Sequence, residues 1–260
     1  MEEREAIEKI ARWIVESNRV VIFTGAGVST ESGIPDFRSP GGLWDRYNPN
    51  DFYFQRFLSS EEAQEKYWQM HSELYKTLKA SKPNPAHYAC VELYKMGRLS
   101  SVITQNIDNL HQEAGLPEER VIELHGNALR VSCLSCGRLY SREKVQRRID
   151  AGEKIPRCAE CGGLLKPTTI SFGQTMPQEE MRRAEAEARN AALFIVVGSS
   201  LVVHPAASMP LYAKEAGARL VIVNLASTPY DDWADLLIRG KAGEVLSEVL
   251  KSAKEILTKN

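Results

Sequence analysis

The stretch Val20–Arg38, VVIFTGAGVSTESGIPDFR, decides how the rest of the chain is read. It opens on Val20-Val21-Ile22-Phe23, an apolar, β-branched run too short for a typical helix, which predicts a buried strand. The run ends in Gly25-Ala26-Gly27, where two glycines allow a tight turn and a close approach of backbone to a ligand. Bare N–H groups at such a turn, with the opening of a short helix, suit a phosphate. Gly33-Ile34-Pro35-Asp36-Phe37-Arg38 then sets an acid, an aromatic ring and a guanidinium side by side, groups that a dinucleotide could use. A full G-x-G-x-x-G fingerprint needs glycine at position 30, where Thr30 stands. The turn alone therefore leaves two readings open, a nucleotide site or a plain strand–loop–helix connection.

Outward from this stretch, the 260 residues suffice for one good core, or one core with a small module appended. Apolar residues are 43% and charged residues 26%, an ordinary globular composition. A net charge of −1 carries no global basic field, so neither nucleic acid nor a membrane surface is an expected partner. The acidic start, Met1-Glu2-Glu3-Arg4-Glu5, lacks the apolar segment of a signal peptide, and no apolar run approaches the ~20 residues of a membrane span. The expected location is the cytoplasm.

Apolar positions Ile7, Ile10, Ala11, Ile14 and Val15 predict an amphipathic helix over 2–17, before the first strand. Ser39–Asp51 is rich in turn formers and predicts a mobile loop, and 61–80 reads as a helix. A further helix is punctuated by Asn84 as N-cap, Pro85 in its first turn and Gly97 past its end. Apolar strands are expected at 101–104, 121–124, 193–197 and 220–223. Helices are expected from near Pro177, over 205–216, and at the end of the chain, where Val245, Leu246, Val249, Leu250, Ala253 and Leu257 would be buried. Each strand hands over to a polar or glycine-bearing cluster. In an open parallel sheet the carboxyl ends share one edge, so TGAG, TQNID, ELHG, VGSS and VNLA should converge there.

The segment 130–166 interrupts this rhythm with Cys133-x-x-Cys136 and Cys158-x-x-Cys161, each pair followed by a glycine, Gly137 or Gly162. Four thiolates suit tetrahedral Zn²⁺ and leave no open coordination position, so the metal would be structural. Cys90, inside a helix, reads as a small core residue. His125 ends a strand and precedes a glycine, so its ring can face the crevice as a base, although a lone histidine is more often structural. His71, His87, His111 and His204 have no such setting and read as core or surface residues. Asn106 and Asp108 could activate and hold a ligand or form a turn and a helix cap; Ser199, Ser200 and Asn224 could bind ribose hydroxyls or cap helices.

Taken together, GAGVS, GIPDFR, TQNID, HG, the four paired cysteines, GSSLVV and VNL occur in the order seen in sirtuins, and the chain from about residue 10 to 250 resembles that family of NAD-dependent protein deacylases, in its compact bacterial or archaeal form. The resemblance implies an α/β fold: a Rossmann-like parallel sheet with helices on both faces (1–34, 82–129 and 167–260) and a small domain (35–81 and 130–166) made of a helical insertion and a four-cysteine zinc ribbon. It implies NAD contacts at Gly25, Ala26, Gly27, Thr30, Asp36, Phe37, Arg38 and Trp44, with Gln105, Asn106, Ile107 and Asp108 lining the ribose and nicotinamide pockets. Gly198, Ser199, Ser200, Asn224, Leu225 and Ala242 would hold the adenosine half, and Phe172, Gly173, Val202 and Val203 the peptide.

The implied partner is an acetyl-lysine protein or peptide, and the implied products are nicotinamide, O-acetyl-ADP-ribose and free lysine. Asn106 and His125 are the implied catalytic residues. Family members that prefer succinyl or malonyl groups carry Tyr-x-x-Arg where this chain has His71 and Leu74, so short neutral acyl groups are expected. Gln174 replaces a glutamate common in relatives, which leaves a preference for basic flanking residues open. The same scaffold could instead serve mono-ADP-ribosyl transfer or NAD hydrolysis, and a non-catalytic NAD-sensing or zinc-ribbon module is the alternative of another class.

Overall fold

The structure, a computed structural model, describes residues 3–37 and 39–259. The strands in chain order are β1 (Val20–Thr24), β2 (Leu99–Thr104), β3 (Val121–Glu123), β4 (Arg130–Cys133), β5 (Leu139–Ser141), β6 (Leu165–Pro167), β7 (Leu193–Val197), β8 (Arg219–Val223) and β9 (Leu236–Ile238). Six of them form one sheet in the order β3-β2-β1-β7-β8-β9, with every pairing parallel. The chain works outward from β1 to β3 and then resumes on β1's other side at β7. The crevice where this order reverses, at the carboxyl ends of β1 and β7, is where open α/β sheets bind ligands.

Continuous apolar strands are what a sheet covered on both faces requires, and β1 and β7 are buried throughout. Alternate side chains go to opposite faces. Val20 and Ile22 pack with the helices Glu3–Glu16, Pro85–Lys95 and Ala242–Lys259, whereas Val21 and Phe23 pack with Gln178–Arg189 and Met209–Glu215. The helix Pro85–Lys95 starts as its punctuation predicts. The Asn84 side chain accepts from Ala86 N–H at 2.9 Å, and His87 Nδ1 accepts from Asn84 N–H at 3.2 Å. Cys90 lies wholly in the core.

A second, antiparallel sheet, β5-β4-β6, carries the cysteine pairs. Its apolar side shares one cluster with residues from 37–70: Val131, Cys133, Val145, Cys158 and Leu165 pack with Leu43, Phe52, Phe57, Tyr67, Trp68 and Met70. A smaller cluster, Ile34, Leu74, Leu78, Leu110 and Ala128, joins this unit to the large sheet.

Several expectations need correction. Ser39–Asp51 is not a plain loop: it holds a helical turn at Leu43–Arg46 and a 3₁₀ turn at Pro49–Phe52. Aromatic side chains organise it, with Trp44 and Tyr47 both packed on Phe52. The expected helix 205–216 begins as a 3₁₀ turn, Ala206–Ser208, and becomes α-helical only at Met209–Glu215. Leu250 and Leu257 are half-buried because they lie at the margin of the last helix's apolar stripe. Strand β9 was not expected, since three residues are too few to show a period. No helix among the described residues is long and apolar enough to cross a membrane.

Candidate active site at the carboxyl edge of the parallel sheet

The clusters that follow β1, β2, β3, β7 and β8 do meet, and backbone bonds join them. Gly25 N–H donates to Val197 O at 3.1 Å, Gly27 N–H to Gly198 O at 2.9 Å, and Gly198 N–H to Val223 O at 2.9 Å. Gln105 N–H donates to Thr24 O at 3.0 Å, and Asn224 N–H to Ile238 O at 3.1 Å. The glycines are needed here for close packing. A Cβ on Gly25 would lie 2.7 Å from Gly198 O, and one on Gly198, whose φ is +61°, would lie 2.5 Å from Val28 N. This narrows the expectation of bare N–H groups on the turn, since those of Gly25, Gly27, Val28 and Ser29 are bonded to carbonyls.

Inside this frame the polar side chains interlock. Asn106 Nδ2 donates to Gly25 O at 3.1 Å and to Ser29 Oγ at 3.0 Å, while Ser29 Oγ donates to Asp108 Oδ2 at 2.6 Å. Asp108 Oδ1 also accepts from Leu110 N–H at 2.9 Å. Asp108 is buried, and that burial raises its pKa despite these bonds. Ser29, 2% exposed, is therefore the hub between the amide and the acid. Sequence reasoning passed over it, although it is the last residue of GAGVS. Gln105 Nε2 donates to Ser199 Oγ at 2.7 Å, tying the loop after β2 to the turn after β7.

His125 is half-buried, and its Nδ1 lies 3.0 Å from Gln105 O. A carbonyl can only accept, so Nδ1 carries the proton and the neutral ring's lone pair is on Nε2. Beneath the same loops lie two buried histidines. His111 Nε2 meets Thr24 Oγ1 at 3.1 Å, and the His87 ring is 4.8 Å from the His111 ring. Burial lowers the pKa of both, that of His87 to about 4. They are core residues, as is His71, whereas His204 is exposed.

The remaining expected residues sit around this centre. Thr30 is exposed and its hydroxyl donates to Gly27 O at 3.0 Å; Ala26 is half-buried beside it. Asp36 accepts from Ser39 N–H at 2.8 Å. Arg38 lies outside the described residues. Ile107 packs on the joining cluster, Ser200 and Leu225 are exposed, and Asn224 Nδ2 folds back onto Ala226 O at 2.8 Å. Ala242 is buried at the start of the last helix, whose Gly243 N–H is capped by Glu31 Oε1 at 2.8 Å. Phe37, Trp44 and Phe172 form one aromatic row, with ring centroids 5.5 Å and 6.1 Å apart in succession. Gly173 and Val202 are exposed, and Val203 is half-buried.

The four paired cysteines fit the expected metal. Their sulfurs lie within 4.8 Å of one another, with Cys133–Cys161 at 3.5 Å and Cys136–Cys158 at 3.7 Å. A tetrahedron with Zn–S bonds of ~2.3 Å has edges of roughly 3.8 Å, so one Zn²⁺ can be held by all four. Four thiolates fill a tetrahedral shell and leave no open position, so the ion's role is structural.

A Rossmann-type sheet with a polar switch-point crevice, joined to a four-cysteine zinc unit, defines a nucleotide-binding protein whose second unit is metal-organised. The chain belongs to the Sir2 family, whose model matches residues 25–205. It is 50% identical over 243 residues to NAD-dependent protein deacetylase 1 of Bradyrhizobium diazoefficiens, with 94% of each chain covered. A solved structure reported on the mechanism and regulation of Sir2 enzymes superposes with a TM-score of 0.87 at 43% identity, covering 97% of this chain and 99% of the other. A Sir2 structure with p53 peptide and NAD+ gives a TM-score of 0.86 at 39% identity, covering 95% and 98%.

Proposed function

We propose that the protein is an NAD-dependent protein-lysine deacetylase that yields nicotinamide, O-acetyl-ADP-ribose and free lysine. The observation that carries this reading is the single network Asn106–Ser29–Asp108 set beside Gln105 and His125 at the switch point. When bound, NAD supplies an electrophilic ribose carbon with nicotinamide as its leaving group. In this reading Asp108 and Asn106 hold the carboxamide and ribose ends in a crevice with little water. His125 Nε2 takes a proton from a ribose hydroxyl while the Gln105 carbonyl holds Nδ1–H and fixes the ring. Phe37 shields the reacting centre from water, supported by Trp44, which also touches Phe172 on the peptide side. Gly25, Gly27 and Gly198 shape the crevice wall, and Ser199, Ser200, Asn224, Leu225 and Ala242 take the adenosine half.

The peptide lies between Phe172-Gly173 and Val202-Val203, and acetyl is the preferred acyl group, since His71 and Leu74 are buried and offer no cation. The clusters support a division into a large domain (1–34, 82–129, 167–260) and a small one (35–81, 130–166). Four cysteines grouped for a metal, with no disulfide among the described residues, suit the cytoplasm, where we place the enzyme. The test is nicotinamide release with NAD and matched peptides. Release with acetyl-lysine peptide and none with its unacetylated twin is expected. Release independent of acetylation, or ADP-ribose left on protein, would replace this reading with NAD hydrolysis or ADP-ribosyl transfer.

A further inference from the structure

Residues 167–172 leave the small sheet, pass against the turn at His125–Gly126 and end at Phe172. Backbone bonds strap this segment down. Thr168 N–H donates to Arg130 O, Ile170 N–H to His125 O, and Phe54 N–H to Phe172 O, each at 2.9 Å. Thr168 Oγ1 donates to Asn127 O at 2.8 Å, and a Cβ on Gly126 would lie 2.0 Å from Thr168 O. One strap thus carries the N–H that holds the main-chain carbonyl of residue 125 and the exposed ring at 172.

Lys166 stands at the head of the strap and is 1% exposed. Its ammonium donates to Thr169 O and, at 3.4 Å, to Pro167 O, and it sits 5.4 Å from the Tyr67 ring centroid and 6.0 Å from that of Phe54. No carboxylate among the described residues forms an ion pair with it. A buried charge without an opposite charge is costly unless its hydrogen bonds are well made. Here those bonds go to strap carbonyls, so the charge is spent on fixing the strap's main chain. Tyr67, 2% exposed, adds to the hold: its hydroxyl lies 3.2 Å from Thr169 Oγ1 and 3.5 Å from Ser171 Oγ. Leu165, the preceding residue, pairs with Cys133 in the small sheet, so the clamp is continuous with the metal-held unit.

Building on the deacetylase reading, we propose that Lys166 and Tyr67 are positioning residues: together they set the strap so that Phe172 and His125 engage the acyl-lysine peptide in register. Both are buried and act through residues 167–172. Lys166→Met keeps the stem and removes the ammonium, and Tyr67→Phe removes only a hydroxyl. In the zinc-loaded enzyme, Lys166→Met should raise the peptide KM about tenfold or more and Tyr67→Phe about threefold, with the NAD KM held within about twofold. Hydrogen exchange at the Thr168 and Ile170 amides should quicken about tenfold in Lys166→Met, a reading that needs no turnover.

Equal rises in both KM values, or unchanged exchange at those two amides, would overturn the proposal. Should Lys166→Met fail to fold, Tyr67→Phe decides by the same two readings. A parent enzyme without turnover would sink the deacetylase reading, and the exchange rates would still decide the clamp.

Discussion

At the edge of the six-stranded sheet, glycine turns are fixed by backbone packed on backbone, whereas the turns at Gly137 and Gly162 in the zinc unit stand open. Gly25, Gly27, Gly126 and Gly198 each have another loop's main chain within 3 Å of where a Cβ would go. Gly137 and Gly162 have φ of +73° and +71°, and nothing lies within 4 Å of that position in either. The crevice is therefore shaped by the main chain before any ligand arrives. The zinc unit has a core of mixed aliphatic and aromatic side chains, and two of its four clustered cysteines are exposed, so its metal is expected to contribute to its shape.

Removing the metal should break this comparison most severely. Chelation, or Cys158→Ser, forfeits a binding energy on the order of 10 kcal/mol that doubles as folding energy. The small unit should lose its fixed structure and peptide turnover should cease, while the parallel sheet keeps its far-UV circular dichroism. Sheet and zinc unit melting together at the moment of zinc loss would mean they are not organised separately.

Glycine substitutions sharpen the same contrast. Gly198→Ala combines a positive φ with a clash against main chain and should cost about 3 kcal/mol or more in chemical denaturation. Gly137→Ala meets strain alone and should cost about 1 kcal/mol. Equal costs would remove the distinction drawn between the two kinds of turn.

Acid should expose a smaller difference. His87 and His111, under the crevice, have pKa values lowered chiefly by burial, as does His71 beside Lys166 and Arg142 in the small unit. A histidine whose folded pKa lies below its unfolded value of ~6.5 contributes stability above that pH and loses it as pH falls. For His87 the loss runs from ~6.5 down to about 4, at about 1.4 kcal/mol per pH unit. Denaturant titration of the parent and His87→Gln should show a smaller pH slope in the variant over that window. Asp108 and Glu123, raised by burial, oppose the trend as pH falls from their raised folded values to the ordinary carboxylate values.

Much of the fold was legible because parallel strands buried on both faces carry apolar runs, as at 20–23, 193–197 and 220–223, with a shorter one, Val102-Ile103, in β2. The strand-end clusters followed from that, since carboxyl ends share an edge. What stayed hidden has particular causes. Ser29 reads as one more loop serine until its hydroxyl is seen between Asn106 and Asp108. The sequence drew no attention to Lys166, because it carries no sign of the rings and carbonyls that enclose it. The cap from Glu31 to Gly243 joins residues 212 apart, beyond any local pattern. The Ser39–Asp51 turns form because Trp44 and Phe52 find partners elsewhere in the fold.

The central claim is that the imidazole at 125, oriented by the Gln105 carbonyl, works on a ribose hydroxyl of NAD beside an acetylated lysine. Its most direct test is the mass of the NAD-derived product made by the parent and by His125→Ala with one acetyl-lysine peptide. The parent should form one O-acetyl-ADP-ribose for each lysine freed, and the variant should lose about a hundredfold or more of that rate. Free acetate and ADP-ribose from the parent, or an undiminished rate in the variant, would contradict it.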